Sequence, residues 1–319
     1  MKLLSPLAVA LSLVGRHGTL VTAGSIFVGL AIPPLATTFK PYLGPAIVAL
    51  LTLAFLRVDP LDLLSHVKRP RLVGLAIAWV MLAVPAALGT LFLALGVERA
   101  MPGLFFILIL QISATGLMSS PAIASLLGLD AALTLACLII GSIISPLTTS
   151  LFTHVFLGRA LASPLLFGLR LFAIIAGSAL AAAVIRGLAG RAFIEAQRVR
   201  IDGLSVLTMF VFAVAAMDGV TDQIRAEPLM VLGLLALAFV LALGLIALTT
   251  VCFLPAGRSR ALAIGLIAGN RNIGLMLAAT GFSAPDVAWL YFALAQFPIY
   301  LLPHLLKPLA RRLQQTSPV

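Results

Sequence analysis

Three consecutive polar residues, Asn270-Arg271-Asn272, lie in an otherwise apolar segment between Gly269 and Gly274. A charged side chain inside such a segment is costly and marks a candidate functional site. Two kinds of chemistry are open to Arg271. Its planar guanidinium can bind an anionic group such as a carboxylate or sulfonate, or it can act as a fixed cation that bonds exposed backbone carbonyls.

A second polar run precedes it in the chain, from Gln111 to Pro121, and ends in a residue that cannot donate a backbone hydrogen bond. Both runs predict interrupted helices whose backbone groups face a polar cavity, although small residues also serve close helix packing. Gln296, near Pro298, is predicted to face the same cavity. The candidate substrate-binding residues are Gln111, Ser113, Thr115, Ser119, Ser120, Asn270, Arg271, Asn272 and Gln296, and the residues predicted to shape the interruptions are Gly116, Pro121, Gly269 and Gly274.

The amino-acid composition indicates which class of protein this is. It is 62% apolar and only 10% charged, and its mean hydropathy is +1.18, which exceeds what a water-soluble domain carries. Apolar stretches long enough to cross the bilayer predict an all-α polytopic membrane protein with ten spans. They cover residues 18–33, 42–56, 71–96, 103–127, 131–157, 163–186, 203–220, 229–254, 261–282 and 286–306.

Residues 1–17 are predicted to be an interfacial lead-in, with a signal peptide or an extra span as the alternatives for residues 1–15. Fifteen of the 21 basic residues fall on the side of the N-terminus and four on the other side. The positive-inside rule therefore predicts an inner (plasma) membrane protein with both termini cytoplasmic, including a basic tail at 311–319. Only Arg170 and Arg271 lie outside this count.

An internal repeat organises the spans. Gly116-Leu117-Met118 recurs as Gly274-Leu275-Met276, and three other pairs of landmarks keep the same order; they are Pro70 with Pro228, Asp130 with Asp286, and Pro146 with Pro303. The repeats would cover residues 18–157 and 158–310. Because each holds five spans, the second must enter the membrane from the opposite side, as in many secondary transporters.

Other functions have weaker support. The +11 charge is scattered over short loops without interleaved aromatics, which argues against nucleic-acid binding. Cys137 and Cys252 have no metal-ligand spacing. The motifs of intramembrane proteases and prenyl-transfer enzymes are absent from the sequence, so we expect no enzyme and no cofactor. The expected partners are the lipid bilayer and a small organic anion, and the chain could be a monomer or a homodimer.

The run from Ser113 to Pro146, the run from Gly269 to Leu275 and the loop Arg57–Asp62 together resemble the bile acid:sodium symporter family, within the bile/arsenite/riboflavin transporter superfamily. The resemblance implies a panel domain of spans 1, 2, 6 and 7 and a core domain of the other six. It also implies that spans 4 and 9 are broken and cross, and that transport occurs by alternating access.

The family's sodium ligands carry over poorly. Their positions fall on Pro121, Thr134, Leu138, Ile267 and Arg271, with another near Val80, and Thr134 alone of these keeps a hydroxyl. Because sodium requires oxygen ligands, sodium coupling is doubtful. The predicted function is alternating-access transport of a small organic anion without sodium. The alternatives are a sodium- or proton-coupled symporter and a membrane sensor or scaffold that does not transport.

Overall fold

The computed structural model describes residues 18–57, 70–158, 161 and 163–315, which are almost entirely helical and contain no β-strand. Seven of the described helical stretches are long and apolar enough to cross a membrane. The chain is therefore a multi-pass membrane protein, as its composition predicts. The seven stretches are Pro33–Arg57, Pro70–Ala94, Ala131–Leu157, Pro164–Ala189, Arg198–Ala226, Pro228–Cys252 and Asp286–Pro308.

Proline begins many of the helices, because its fixed φ suits the first helical turn and its missing N–H would have no partner there. The α-helices are α1 (Gly18–Ala31), α2 (Pro33–Phe39), α3 (Leu43–Arg57), α4 (Pro70–Ala78), α5 (Val84–Ala94), α6 (Val97–Ala100), α7 (Pro102–Ser113), α8 (Ser120–Leu126), α9 (Ala131–Leu157), α10 (Pro164–Ala189), α11 (Arg191–Ala196), α12 (Arg198–Ala216), α13 (Val220–Ala226), α14 (Pro228–Cys252), α15 (Arg258–Gly269), α16 (Ile273–Ala279) and α17 (Asp286–Gln315).

Several predicted boundaries need correction. The second predicted span, 42–56, begins earlier, because Pro33 starts a helical stretch that continues through a short 3₁₀ turn at Lys40–Tyr42 into α3. The seventh, 203–220, lies within a longer helical stretch, Arg198–Ala226, in which α12 begins five residues earlier, at Arg198. The helix of the tenth runs on to Gln315. The lead-in 1–17 and residues 58–62 of the loop after α3 lie outside the described residues.

Three of the ten predicted spans, the first, the fourth and the ninth, are not matched by a single long helix. The first corresponds to α1, which has 14 residues. In place of the fourth there are α7 and α8, separated by residues 114–119. In place of the ninth there are α15 and α16, separated by residues 270–272.

The chain divides into two compact units. One consists of the described residues within Met1–Asp59 and Ile174–Leu232, and the other of those within Pro60–Ala173 and Gly233–Val319. We call them the first and the second unit. The first contains most of the stretches that the resemblance assigns to a panel, and the second most of those assigned to a core.

In the second unit, side-chain caps fix two helix starts. The Asp130 carboxylate accepts a hydrogen bond from the Leu133 N–H (2.9 Å) at the start of α9. The Asn272 side-chain oxygen accepts one from the Leu275 N–H (3.1 Å) at the start of α16. Such N-caps satisfy backbone donors that have no partner within the helix. The cap at Asn272 places the first turn of α16 directly after Arg271.

Candidate functional site

The two helix interruptions of the second unit pair with each other. Ala114 (φ −66°, ψ 152°) and Asn270 (φ −98°, ψ 94°) are extended, and Gly116 and Arg271 form an antiparallel bridge. Backbone groups in an apolar interior require partners. The Leu117 N–H donates to the Asn270 carbonyl (2.8 Å), and the Asn272 N–H donates to the Thr115 carbonyl (3.0 Å).

Arg271 is fully buried, with 1% of its surface exposed, and its guanidinium donates only to backbone carbonyls in the described hydrogen bonds. Nε donates to Ala268 (2.7 Å), Nη1 to Ala114 (2.7 Å) and to Val80 (3.1 Å), and Nη2 also to Val80 (3.1 Å). These four bonds use four of its five N–H groups. The side chain therefore joins three separate segments of the second unit.

Two of these carbonyls lie at helix C-termini. Ala268 is in the last turn of α15, and Ala114 directly follows the end of α7. The C-terminal end of a helix carries partial negative charge, which stabilises a cation placed beside it. The described residues place no carboxylate within ion-pair distance of Arg271, so these backbone dipoles are the negative groups that it contacts there.

The third acceptor, Val80, lies in a π-helical segment, Trp79–Ala83, between α4 and α5. The Val84 N–H bonds to the Trp79 carbonyl, five residues back, and in that register the donor for the Val80 carbonyl would come from Pro85. Proline has no N–H. Pro85 therefore leaves the Val80 carbonyl free to accept from Arg271, and the Trp79 indole N–H fixes the same segment by donating to Thr249 Oγ1 (3.0 Å).

A small cavity adjoins the bridge. The volume open to the centre of a water molecule is about 10 Å³, and Val80, Thr115, Gly116 and Ile267 are among its lining residues. That volume suffices for about one water molecule. An organic anion would require the surrounding segments to move apart.

Unpaired polar atoms lie next to Arg271 in the chain and across the bridge. The hydroxyls of Ser113, Ser119 and Ser120 and both amide atoms of Asn270 are buried without a hydrogen-bond partner in the described part of the structure. The Ser120 N–H donates to the Leu117 carbonyl (2.9 Å), so Ser119 and Ser120 belong to a turn that pairs with Asn270. Burying such groups unpaired costs free energy, and they are the side chains here that have donors and acceptors to offer a polar ligand.

Three of the other predicted binding residues, Gln111, Gln296 and Asn272, have protein partners. The Tyr291 hydroxyl donates to Gln111 Oε1 (2.6 Å), and Gln296 Nε2 donates to the Phe292 carbonyl in its own helix (3.0 Å). Asn272 caps α16. The Thr115 side chain is buried at the small cavity. Gly116 and Gly269 lie at close contacts, since a Cβ on Gly116 would come 2.7 Å from Ile267 Cγ2.

The sequence did not predict two contacts of the site. The resemblance places a sodium-ligand position near Val80, but the Val80 carbonyl was not predicted as a partner of Arg271. The π-helical segment brings the carbonyl there, and Pro85 was the signal that could have revealed it. The Thr149 hydroxyl donates to the Ser113 carbonyl (2.9 Å) and holds the end of α7. Thr149 is one of several hydroxyl side chains in α9, and nothing in their spacing singles it out for that contact.

We expect Tyr291→Phe to lower the free energy of unfolding by about 1–3 kcal/mol, because Gln111 Oε1 would stay buried without a donor. Thermal denaturation in detergent measures the effect. Tyr42→Phe is the control, because Tyr42 is exposed, and should change little. If Tyr291→Phe were as neutral as the control, the Gln111 contact would not stabilise the protein.

No protein-family model matches the chain, and no curated protein matches it either.

Proposed function

We propose that the chain is a secondary transporter of a small organic anion that works by alternating access without sodium coupling. In this proposal it has ten spans in two inverted repeats, with α7 and α8 forming one broken span and α15 and α16 the other. The observation that carries the proposal is Arg271, a buried cation bonded to carbonyls where two interrupted helices pair. Interrupted helices with polar termini are typical of transporter binding sites.

Arg271 serves in this proposal as a fixed cation that takes the place of a bound sodium ion. Support comes from the number and kind of its partners, since the guanidinium bonds three carbonyls of the kind that ligate sodium. Direct contact with the transported anion is the less favoured role. Four of the five N–H groups already have acceptors, and the side chain is 1% exposed.

The residues at the positions of the family's sodium ligands do not fit that ion. Ile267 and Leu138 offer only buried hydrocarbon, and Pro121 has no side-chain oxygen. The Thr134 hydroxyl is oriented by its own helix, donating to the Ala131 carbonyl at 2.8 Å. Sodium would lack a carboxylate to offset its charge there.

The energetics limit the direction of transport. Moving a monovalent anion inward against an inside-negative potential costs about 2.3 kcal/mol per 100 mV. Without a coupling ion, concentrative uptake has no energy source. The proposal therefore predicts export, exchange or facilitated diffusion.

The test is counterflow in proteoliposomes, with a panel of radiolabelled carboxylates and sulfonates measured with sodium and with potassium as the only cation. We expect at least one anion to accumulate transiently at the same rate in both salts. Flux that requires sodium would contradict the uncoupled mechanism and favour a symporter. Flux driven by a pH gradient would instead indicate proton coupling.

A sensor or scaffold is separated by a second readout on the same preparation. Any anion of the panel that raises the melting temperature should also be transported, if the protein is a transporter. Thermal stabilisation without flux of that anion would indicate a binding protein that does not transport.

A further inference from the structure

The two ends of the first unit differ in charge. Lys40 and Arg225 lie at one end, with Asp218, Asp222 and Glu227. At that end Lys40 Nζ is 2.8 Å from Asp218 Oδ2, and the Thr37 hydroxyl donates to Oδ1 of the same carboxylate (2.7 Å). Two cations against three carboxylates leave this end slightly negative.

The opposite end has the reverse charge. It is formed by the C-terminus of α3, the C-terminus of α10, the short helix α11 and the N-terminus of α12. We call it the arginine end. Its described charged residues are Arg57, Arg186, Arg191, Arg198 and Arg200 against Glu195 and Asp202, which gives a net charge of +3.

Contacts hold part of the arginine end in place. Arg57 Nη2 is 2.9 Å from Asp202 Oδ1 and donates to the Ser205 hydroxyl (2.6 Å). Arg186 Nη2 donates to the Phe55 and Leu56 carbonyls, at 3.1 and 2.7 Å. These bonds join α3 to α10 and to α12, so they fix where the arginines lie.

Arg198 is different. Its side chain is exposed and repels Arg57 electrostatically. That side chain makes no hydrogen bond or ion pair within the part of the chain that the structure describes. Arg200 is also exposed and donates to the neighbouring Gln197 side chain. The arginine end therefore presents guanidinium groups that the protein's own carboxylates do not neutralise.

Apolar side chains are exposed on the same segments. Leu188 at the end of α10 is 85% exposed, and Phe193 in α11 is 58% exposed. Val199 lies exposed between Arg198 and Arg200. Arginines interleaved with exposed apolar and aromatic side chains are typical of segments that lie at the boundary between lipid headgroups and acyl chains.

We propose that the arginine end of the first unit binds the phosphodiester headgroup of an anionic phospholipid. Guanidinium groups match phosphate oxygens in geometry and charge, and Leu188, Phe193 and Val199 contact the upper acyl chain. The exposed apolar groups favour a lipid over a soluble phosphate, because a free phosphate would leave them in water. This site is independent of the transport proposal.

Native mass spectrometry of the full-length protein in detergent tests the site by titration with phosphatidylglycerol or phosphatidylcholine. We expect phosphatidylglycerol to bind more tightly. The double variant Arg198→Ala/Arg200→Ala should weaken its binding about 25-fold, or about fivefold for each arginine near the membrane surface. Both side chains are exposed, so the variant should keep its melting temperature.

Arg225→Ala, at the opposite end of the same unit, is the matched control and should bind phosphatidylglycerol as the unaltered protein does. Equal binding of the two lipids would overturn the proposal, and so would an equal loss in the Arg225 variant. Competition by millimolar inorganic phosphate would show a site for soluble anions instead of a lipid site.

Discussion

Arg271→Gln is expected to lower the free energy of unfolding by roughly 3–5 kcal/mol, because three buried carbonyls would lose most of their donors. The glutamine amide is shorter than the guanidinium and has two N–H groups in place of five. It cannot bond Val80, Ala114 and Ala268 together. Thermal denaturation of the purified protein in detergent gives the change in melting temperature.

Arg271→Lys tests whether charge alone is sufficient. The ammonium keeps the positive charge beside the helix C-termini but lacks the planar fork that bonds several carbonyls at once. We expect its stability to lie between those of the unaltered protein and Arg271→Gln. Arg170→Gln is the control, because Arg170 is an exposed arginine of the second unit and its replacement should change stability little.

The same variants separate the two roles of Arg271. If the guanidinium is mainly a fixed cation, stability and flux should fall together in the glutamine variant. If it mainly contacts the transported anion, Arg271→Lys should keep its melting temperature while the KM for that anion rises. A stable glutamine variant with undiminished counterflow would contradict both roles.

The sequence was informative about the class of protein and about where some of its helices end. The apolar composition predicted a multi-pass membrane protein, which the seven long apolar helices confirm. The polar run Asn270-Arg271-Asn272 lies between two helices, since α15 ends at Gly269 and α16 begins at Ile273. That the two helices form one broken span stays a prediction. These features depend on residues that are close together in the sequence. A charged side chain among apolar neighbours must find hydrogen-bond partners wherever the chain folds, so its neighbours alone mark the position.

The hydrogen-bond partners of the buried polar side chains could not be predicted from their neighbours in sequence. The Val80 carbonyl is 191 residues from Arg271 in the chain. It can accept from Arg271 because it lies in a π-helical segment, and the spacing of apolar residues does not predict such a segment. Gln111 was grouped with the predicted binding residues because of its neighbours in sequence. Its amide oxygen accepts from Tyr291, 180 residues away, and such pairings depend on how helices pack.

Gly269→Ala is expected to destabilise the protein by about 1–3 kcal/mol through overpacking. A Cβ at this position would lie 2.5 Å from the Ala242 carbonyl oxygen and 2.5 Å from Ile246 Cγ1. Both neighbours belong to α14, and one is backbone, which cannot turn aside as a flexible side chain can. Helix α15 and helix α14 would have to separate, and the melting temperature should fall accordingly.

Gly244→Ala is the matched control, because it lies on α14 and a Cβ there meets nothing within 4 Å. A helix interior is more stable with alanine than with glycine by about 0.5–1 kcal/mol, so this variant should be unchanged or slightly more stable.

The same two variants should also differ in transport. Gly269 follows Ala268, whose carbonyl is 2.7 Å from Arg271 Nε, so moving α15 away from α14 would shift an acceptor of the fixed cation. Gly269→Ala should therefore slow counterflow, whereas Gly244→Ala should not. Equal stability in the two variants would mean that the close approach of α14 to Gly269 does not constrain the site.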